Sequence, residues 1–99
     1  MSEKVDGDTA LLKAFKERMN IFHDAEDDKL EIMLEASKTA IKSMVSSDDV
    51  ARPDVKELVI ERTRYTYNDS LEFFEDTFQS RILSVAFDVL NEVSEDDSK

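Results

Sequence analysis

The stretch from Asp54 to Phe78, DVKELVIERTRYTYNDSLEFFEDTF, preceded by Pro53, restricts the fold more than any other part of the chain. At about 100° per residue, Val55, Leu58, Val59, Tyr65, Thr66 and Phe73 share one helical face. Ile60, Tyr67, Leu71 and Phe74 lie beside it on a second. The polar remainder is a narrow arc of Glu57, Glu61, Arg64, Asn68, Glu72 and Glu75. A helix with so little polar surface needs neighbours on more than one side, which predicts a central helix of a bundle or an assembly. Arg62 and Asp69 fall on the first apolar face. They read either as a snorkelling arginine and a helix-edge acid, or as a buried or inter-subunit ion pair. Asp69-x-x-Glu72 has capping-box spacing, so one continuous helix and two helices meeting at Asn68-Asp69 are both open.

The rest of the chain agrees with helices. One glycine and one proline in 99 residues leave little turn chemistry for strands and no phosphate-cradling loop. The expected fold class is all-α: a small bundle of about four helices, with a long central helix and a shorter C-terminal one. One helical domain is expected over 1–99, with residues 1–8 and 94–99 disordered. Thr9 is the expected N-cap of a short helix with stripe Leu11, Leu12, Phe15 and Met19. A second helix follows, with Asp24 as candidate cap and a stripe of Leu30, Met33, Leu34, Ser37, Ala40, Ile41, Met44 and Val45. Ile32 lies off that stripe. SSDDVARPD is the clear loop, closed by Pro53 and the capping-box spacing Asp54-x-x-Glu57. Beyond Phe78, Ile82, Val85, Ala86, Val89 and Leu90 recur at helical spacing, and Leu83 and Phe87 form a second apolar pair on the other side.

The net charge of −11 is unevenly placed. Residues 1–23 balance, 24–49 carry −5, 50–82 carry −2 and 83–99 carry −4. No basic footprint is present, which argues against sequence-specific nucleic-acid binding. No apolar run approaches the roughly 18 residues of a membrane span, so a soluble chain with no membrane partner is expected. Without cysteine there is no disulfide framework and no thiolate metal site. Asp24, Glu26, Asp28 and Glu35 occupy positions 1, 3, 5 and 12 of a calcium loop, but the required glycine at position 6 is Lys29. The acids read instead as a helix start, and His23, the sole histidine, as a helix-entry residue. No nucleophile–base pair, metal set or cofactor loop is legible, so neither an enzyme nor a cofactor is expected.

The run IFHDAEDDKLEIMLEASKTAI, followed after a short loop by VKELVIERTRYTYNDSLEFFEDTFQSRILSVAFDV, resembles the small gp6-like head-tail connector proteins of tailed bacteriophages and prophages. The resemblance covers roughly residues 10–90, and ERTRYTYND at 61–69 is its most specific piece. The loop at 46–53 is shorter than in some relatives. The resemblance implies a virion protein, present in the host cytoplasm during assembly. It would form a ring beneath the portal after DNA packaging, extend the DNA channel, and meet the portal and the next connector or tail-completion protein. Candidate interface residues are Arg62, Arg64, Tyr65, Tyr67, Asp69, Ile82, Leu83 and Phe87. The rival reading is an acidic helical regulator, either a DNA-mimic inhibitor or an antitoxin-like binder, resting on the acid-rich 24–35 segment.

Overall fold

Four α-helices follow in order in the computed structural model, which describes the backbone of residues 6–97 and the side chains of residues 10–92. They are α1 (Asp6–Met19), α2 (Asp27–Val45), α3 (Pro53–Tyr67) and α4 (Phe74–Asp97), with a single 3-10 turn at Leu71–Phe73 leading into α4. The fold is all-α among the described residues, as the scarcity of glycine and proline requires. The relative lengths depart from expectation. α3 spans 15 residues and α4 spans 24, so the C-terminal helix is the longest and the central one is cut short. The expectation of disorder at 1–8 and 94–99 falls on residues whose side chains lie outside the described set. Of these, only the backbone of 6–8 and 94–97 is described, as helix.

The cut is made at Asn68-Asp69. Asp69 takes the left-handed conformation, φ 59°. The Ser70 amide returns to the Tyr65 carbonyl at 2.8 Å and the Asp69 amide to Thr66 at 3.0 Å. These two bonds satisfy carbonyls that a helix end otherwise leaves unpaired. The same device ends α1. Asn20 has φ 60°, with Ile21 N–H bonded to the Lys16 carbonyl at 2.9 Å and Asn20 N–H to Glu17 at 3.3 Å. Ser46, φ 67°, ends α2 with one bond to the Lys42 carbonyl at 2.8 Å. Asparagine, serine and aspartate thus do the work usually given to glycine, at some cost in backbone energy. The Asp69-x-x-Glu72 spacing is not used as a capping box: Ser70 precedes the turn and makes no side-chain cap bond.

Helix starts differ from expectation in the same way. α1 begins at Asp6, so Thr9 lies within the helix and does not cap it. α2 is preceded by Glu26, not Asp24. α3 is preceded by Arg52 with Pro53 in its first turn, where the missing N–H costs nothing. Asp54 is held by the Arg52 guanidinium at 3.0 and 2.9 Å, so it is not part of a capping box.

The helix pairing follows from named contacts. Ser37 meets Thr63 and Glu26 meets Tyr67, so α2 and α3 run antiparallel. Arg52 meets Glu92, Glu57 meets Arg81, and Tyr65 packs on Phe74, so α3 and α4 also run antiparallel. α1 packs on both α2 and α3, as does α4, yet among the described residues α1 and α4 make no close approach to each other. Both run along the α2–α3 pair, so they occupy its opposite sides. The core between them is Leu11 and Phe15 from α1, Leu30, Leu34, Ile41 and Val45 from α2, Val55, Leu58, Val59 and Ile60 from α3, and Phe74, Val85 and Val89 from α4.

Candidate functional site

Helical periodicity gives α4 two apolar faces where a terminal helix needs one. Its inner face carries Val85 and Val89, buried in the core, with Ile82 and Ala86 half-buried beside them. Its outer face carries Leu83, Phe87 and Leu90, spaced four and three residues apart and 64, 62 and 60% exposed. The residues bordering this stripe, Ser80, Ser84 and Asn91, are exposed and uncharged. Covering the three side chains would gain about 1–2 kcal/mol each. An apolar row of this kind marks a contact surface more often than a scattered single residue does. The N-terminal part of α4 turns at Phe78, whose φ of −106° and ψ of 15° leave the helical region. Phe78 stacks on Phe74 with centroids 4.9 Å apart, and both meet Tyr65 edge-on at 5.7 and 5.8 Å. The root of α4 is thereby fixed to α3.

The stretch 61–69 has a different use. Glu61, expected on the polar arc, is only 8% exposed. Its carboxylate accepts from Arg18 Nε at 3.2 Å and from Arg64 Nε at 2.9 Å. Arg64, expected on the same solvated arc, is half-buried and lies over the Tyr65 ring, 5.2 Å from its centroid. The reason is α1, which crosses this arc and brings Arg18 to it. Arg62 donates to the Ser37 hydroxyl at 3.3 Å, and Ser37 lies 2.8 Å from the Thr63 hydroxyl, both fully buried. Thr63 also bonds to the Val59 carbonyl at 2.8 Å. A hydroxyl has one proton, so a consistent chain runs Arg62 to Ser37 to Thr63 to Val59. Burial pulls the Arg62 guanidinium below its ordinary value, partly offset by nearby Glu75. Asp69 is exposed at the turn, and the partner observed for Arg62 is Ser37. Tyr67 donates to Glu26 at 2.8 Å, which raises its phenol above the ordinary value. Its ring packs edge-on against Phe15 at 6.2 Å.

The eight candidates therefore divide. Arg62, Arg64, Tyr65 and Tyr67 are half-buried and engaged within the chain, and Ile82 is half-buried against the core. Asp69 is exposed, and Leu83 and Phe87 stand on the free stripe, which Leu90 extends. Periodicity had placed Leu90 with the inner residues; it turns outward because Val85 and Val89 set the inner face. The structure also brings forward residues that the sequence reading passed over. Arg52 holds Asp54 and Glu92 together, tying the α3 start to α4 and keeping the Asp54 carboxyl below the usual carboxylate range. Arg18 is the second. Neither sits on an apolar stripe, and both act through long-range ion pairs that periodicity does not register.

The acids of the 24–35 segment divide: Asp24, Asp28 and Glu35 are exposed, while Glu26 and Asp27 are half-buried and engaged by α3 and α1. Lys16 reaches Asp27 at 2.7 Å and Asp24 at 3.3 Å, and these partners raise its pKa, Asp27 the more strongly. Glu26 accepts from Tyr67. His23 is exposed at the entry to α2, and its Nδ1 accepts the Ala25 amide at 3.2 Å. Among the described residues no group of three or more acids or histidines converges on a metal-sized space. Among them, too, no helix is long and apolar enough to cross a membrane.

No curated protein and no solved structure matches the chain. The family model described as Phage gp6-like head-tail connector protein matches residues 9–94, a span that reaches into all four helices and includes the α4 stripe. On that match the chain belongs to the gp6-like head-tail connector proteins of phages.

Proposed function

We propose that the chain is a connector that oligomerises as a ring beneath the portal protein, extends the DNA channel, and offers its far side to the next connector or tail-completion protein. A structural connector role follows from the family itself, as does a place in the virion. The ring, the channel, the portal contact and assembly in the host cytoplasm are this proposal. The observation that carries it is the outer face of α4. Leu83, Phe87 and Leu90 are exposed on a helix whose other face is buried, and whose root and far end are clamped by Phe74 and Arg52. A face held out rigidly, apolar and uncharged, suits a subunit that docks without reshaping itself. The acidic charge suits a channel wall, since a chain at −11 repels the phosphates that pass it. Of the eight candidate residues, Leu83 and Phe87 are assigned to the docking face.

The test is the double variant Leu83→Ser, Phe87→Ser, followed by co-sedimentation with DNA-filled, portal-bearing heads. The variant is expected to keep its helicity and its urea midpoint, because both side chains are exposed, and to be lost from the heads. A variant that folds and enters the heads as the unaltered chain does overturns this assignment.

A further inference from the structure

A second apolar surface lies at the opposite side of the bundle. Where α1 ends and the chain turns toward α2, Leu12, Ile21 and Phe22 line an open groove of about 290 Å³ with Lys13, Lys16 and Glu17. Phe22 is 85% exposed, the most exposed of the large hydrophobic side chains described. Lys16 is committed to Asp24 and Asp27, which leaves exposed Lys13 as the outward cation of the groove. Because α1 and α4 flank the α2–α3 pair without approaching each other, this groove and the α4 stripe face away from one another.

Charge selects how two copies can meet. The segment 1–23 that carries the groove has no net charge, and residues 77–91 of α4 hold only Arg81 and Asp88. Between them, 24–49 carries −5. Two chains of −11 approach with least repulsion through the two balanced ends, whereas an approach through α2 sets acid against acid. Both balanced ends also hold exposed apolar side chains, Phe22 at one and Leu83, Phe87 and Leu90 at the other, whereas exposed Ile32 lies in the acidic segment between them. A stripe-to-stripe pair would bury α4 but leave Phe22 and Ile21 uncovered on each copy, and it would close at two.

We infer that the α4 stripe of one copy seats in the Leu12/Ile21/Phe22 groove of the next, Phe87 against Phe22, in a heterologous contact repeated from copy to copy. This rests on the connector reading and supplies its subunit interface. A contact between unlike faces at opposite ends propagates, and it closes into a ring when the rotation between copies allows. The same contact accounts for two exposed patches with one interaction.

The absence of cysteine makes the test clean. Phe22→Cys and Phe87→Cys are prepared singly and together, checked for unchanged helicity, and oxidised at millimolar concentration. Wild-type oligomeric mass is measured in parallel. In the mixture of single variants, the 22–87 disulfide is expected in roughly tenfold excess over either homotypic product, the ratio set by about 1.4 kcal/mol of preference. The double variant is expected to give a ladder. Predominant 87–87 dimers overturn the inference, as does a wild-type oligomer without the 22–87 bond; either leaves the ring reading standing. A chain that stays monomeric and yields no cross-link of any pairing overturns the inference for the free chain, while the ring reading, which allows assembly only on the portal, is decided by the co-sedimentation with heads.

Discussion

The stretch 61–69 and the outer face of α4 both offer large side chains and differ in use. The first is rich in charge and aromatic rings, the second is apolar and uncharged, and both hold interface candidates. In the first, Glu61, Arg62, Thr63, Arg64, Tyr65 and Tyr67 all find partners inside the chain. In the second, Leu83, Phe87 and Leu90 stand free. Side chains of the types enriched at interfaces are therefore not by themselves evidence of one. A planar guanidinium beside a buried carboxylate serves as well within a bundle as between subunits. The plainer apolar stripe is the better guide, because burial in the monomer leaves it unexplained.

Mutations that separate folding from docking sharpen this contrast. The largest effect is expected for Phe74→Ala, about 3–5 kcal/mol in urea melts, because fully buried Phe74 joins Tyr65 to Phe78. Phe87→Ala, the same chemical change on the exposed stripe, should stay within about 0.5 kcal/mol. Comparable losses at both positions would erase the distinction. Next comes Arg64→Glu. It sets a second carboxylate against Glu61, which is nearly buried, and should destabilise the monomer by about 1–3 kcal/mol despite the remaining Arg18 pair. A variant as stable as the parent would return Arg64 to the solvated surface.

Smaller effects test the frame that holds the two regions. Ser46→Gly should stabilise by about 0.5–1 kcal/mol, since φ of 67° strains any residue with a Cβ and glycine relieves it. A loss would show that the serine side chain does more than end α2. The smallest effect concerns Asp54, whose carboxyl is held low chiefly by its hydrogen bonds to Arg52. A depressed acid contributes stability that is complete above its unfolded value of about 3.9 and fades as pH falls through the lower folded value. Asp54→Asn should therefore cost about 0.5 kcal/mol at pH 7, with the gap closing below about pH 4. A gap independent of pH would assign the loss to helix-start geometry instead.

The sequence was most informative where one helix face meets one neighbour. The α2 stripe is the clearest case: Leu30, Leu34, Ser37, Ile41 and Val45 are buried, with Met33, Ala40 and Met44 beside them. The break at Asn68-Asp69 was also visible, because asparagine and aspartate tolerate the left-handed turn that ends α3. What stayed hidden depends on residues far apart in the chain. Glu61 is buried by Arg18, 43 positions away, and no wheel of α3 contains that arginine. The lengths of α3 and α4 are not legible in the apolar pattern for a related reason. The apolar pattern runs smoothly through 68–70, while backbone geometry there does not. For the site, Leu83 and Phe87 were named from their off-stripe position, but Leu90 became visible only once Val85 and Val89 had fixed which way α4 faces.

Hydroxyl-radical footprinting of the free chain and of the chain assembled on portal-bearing heads compares the two regions in one experiment. Leu83, Phe87 and Leu90 are expected to label strongly in the free chain and to lose most of that labelling on assembly. Tyr65 and Tyr67, half-buried already, are expected to change little. Protection of the two tyrosines, with the α4 stripe labelled as strongly as before, would contradict the account and place the docking surface on 61–69.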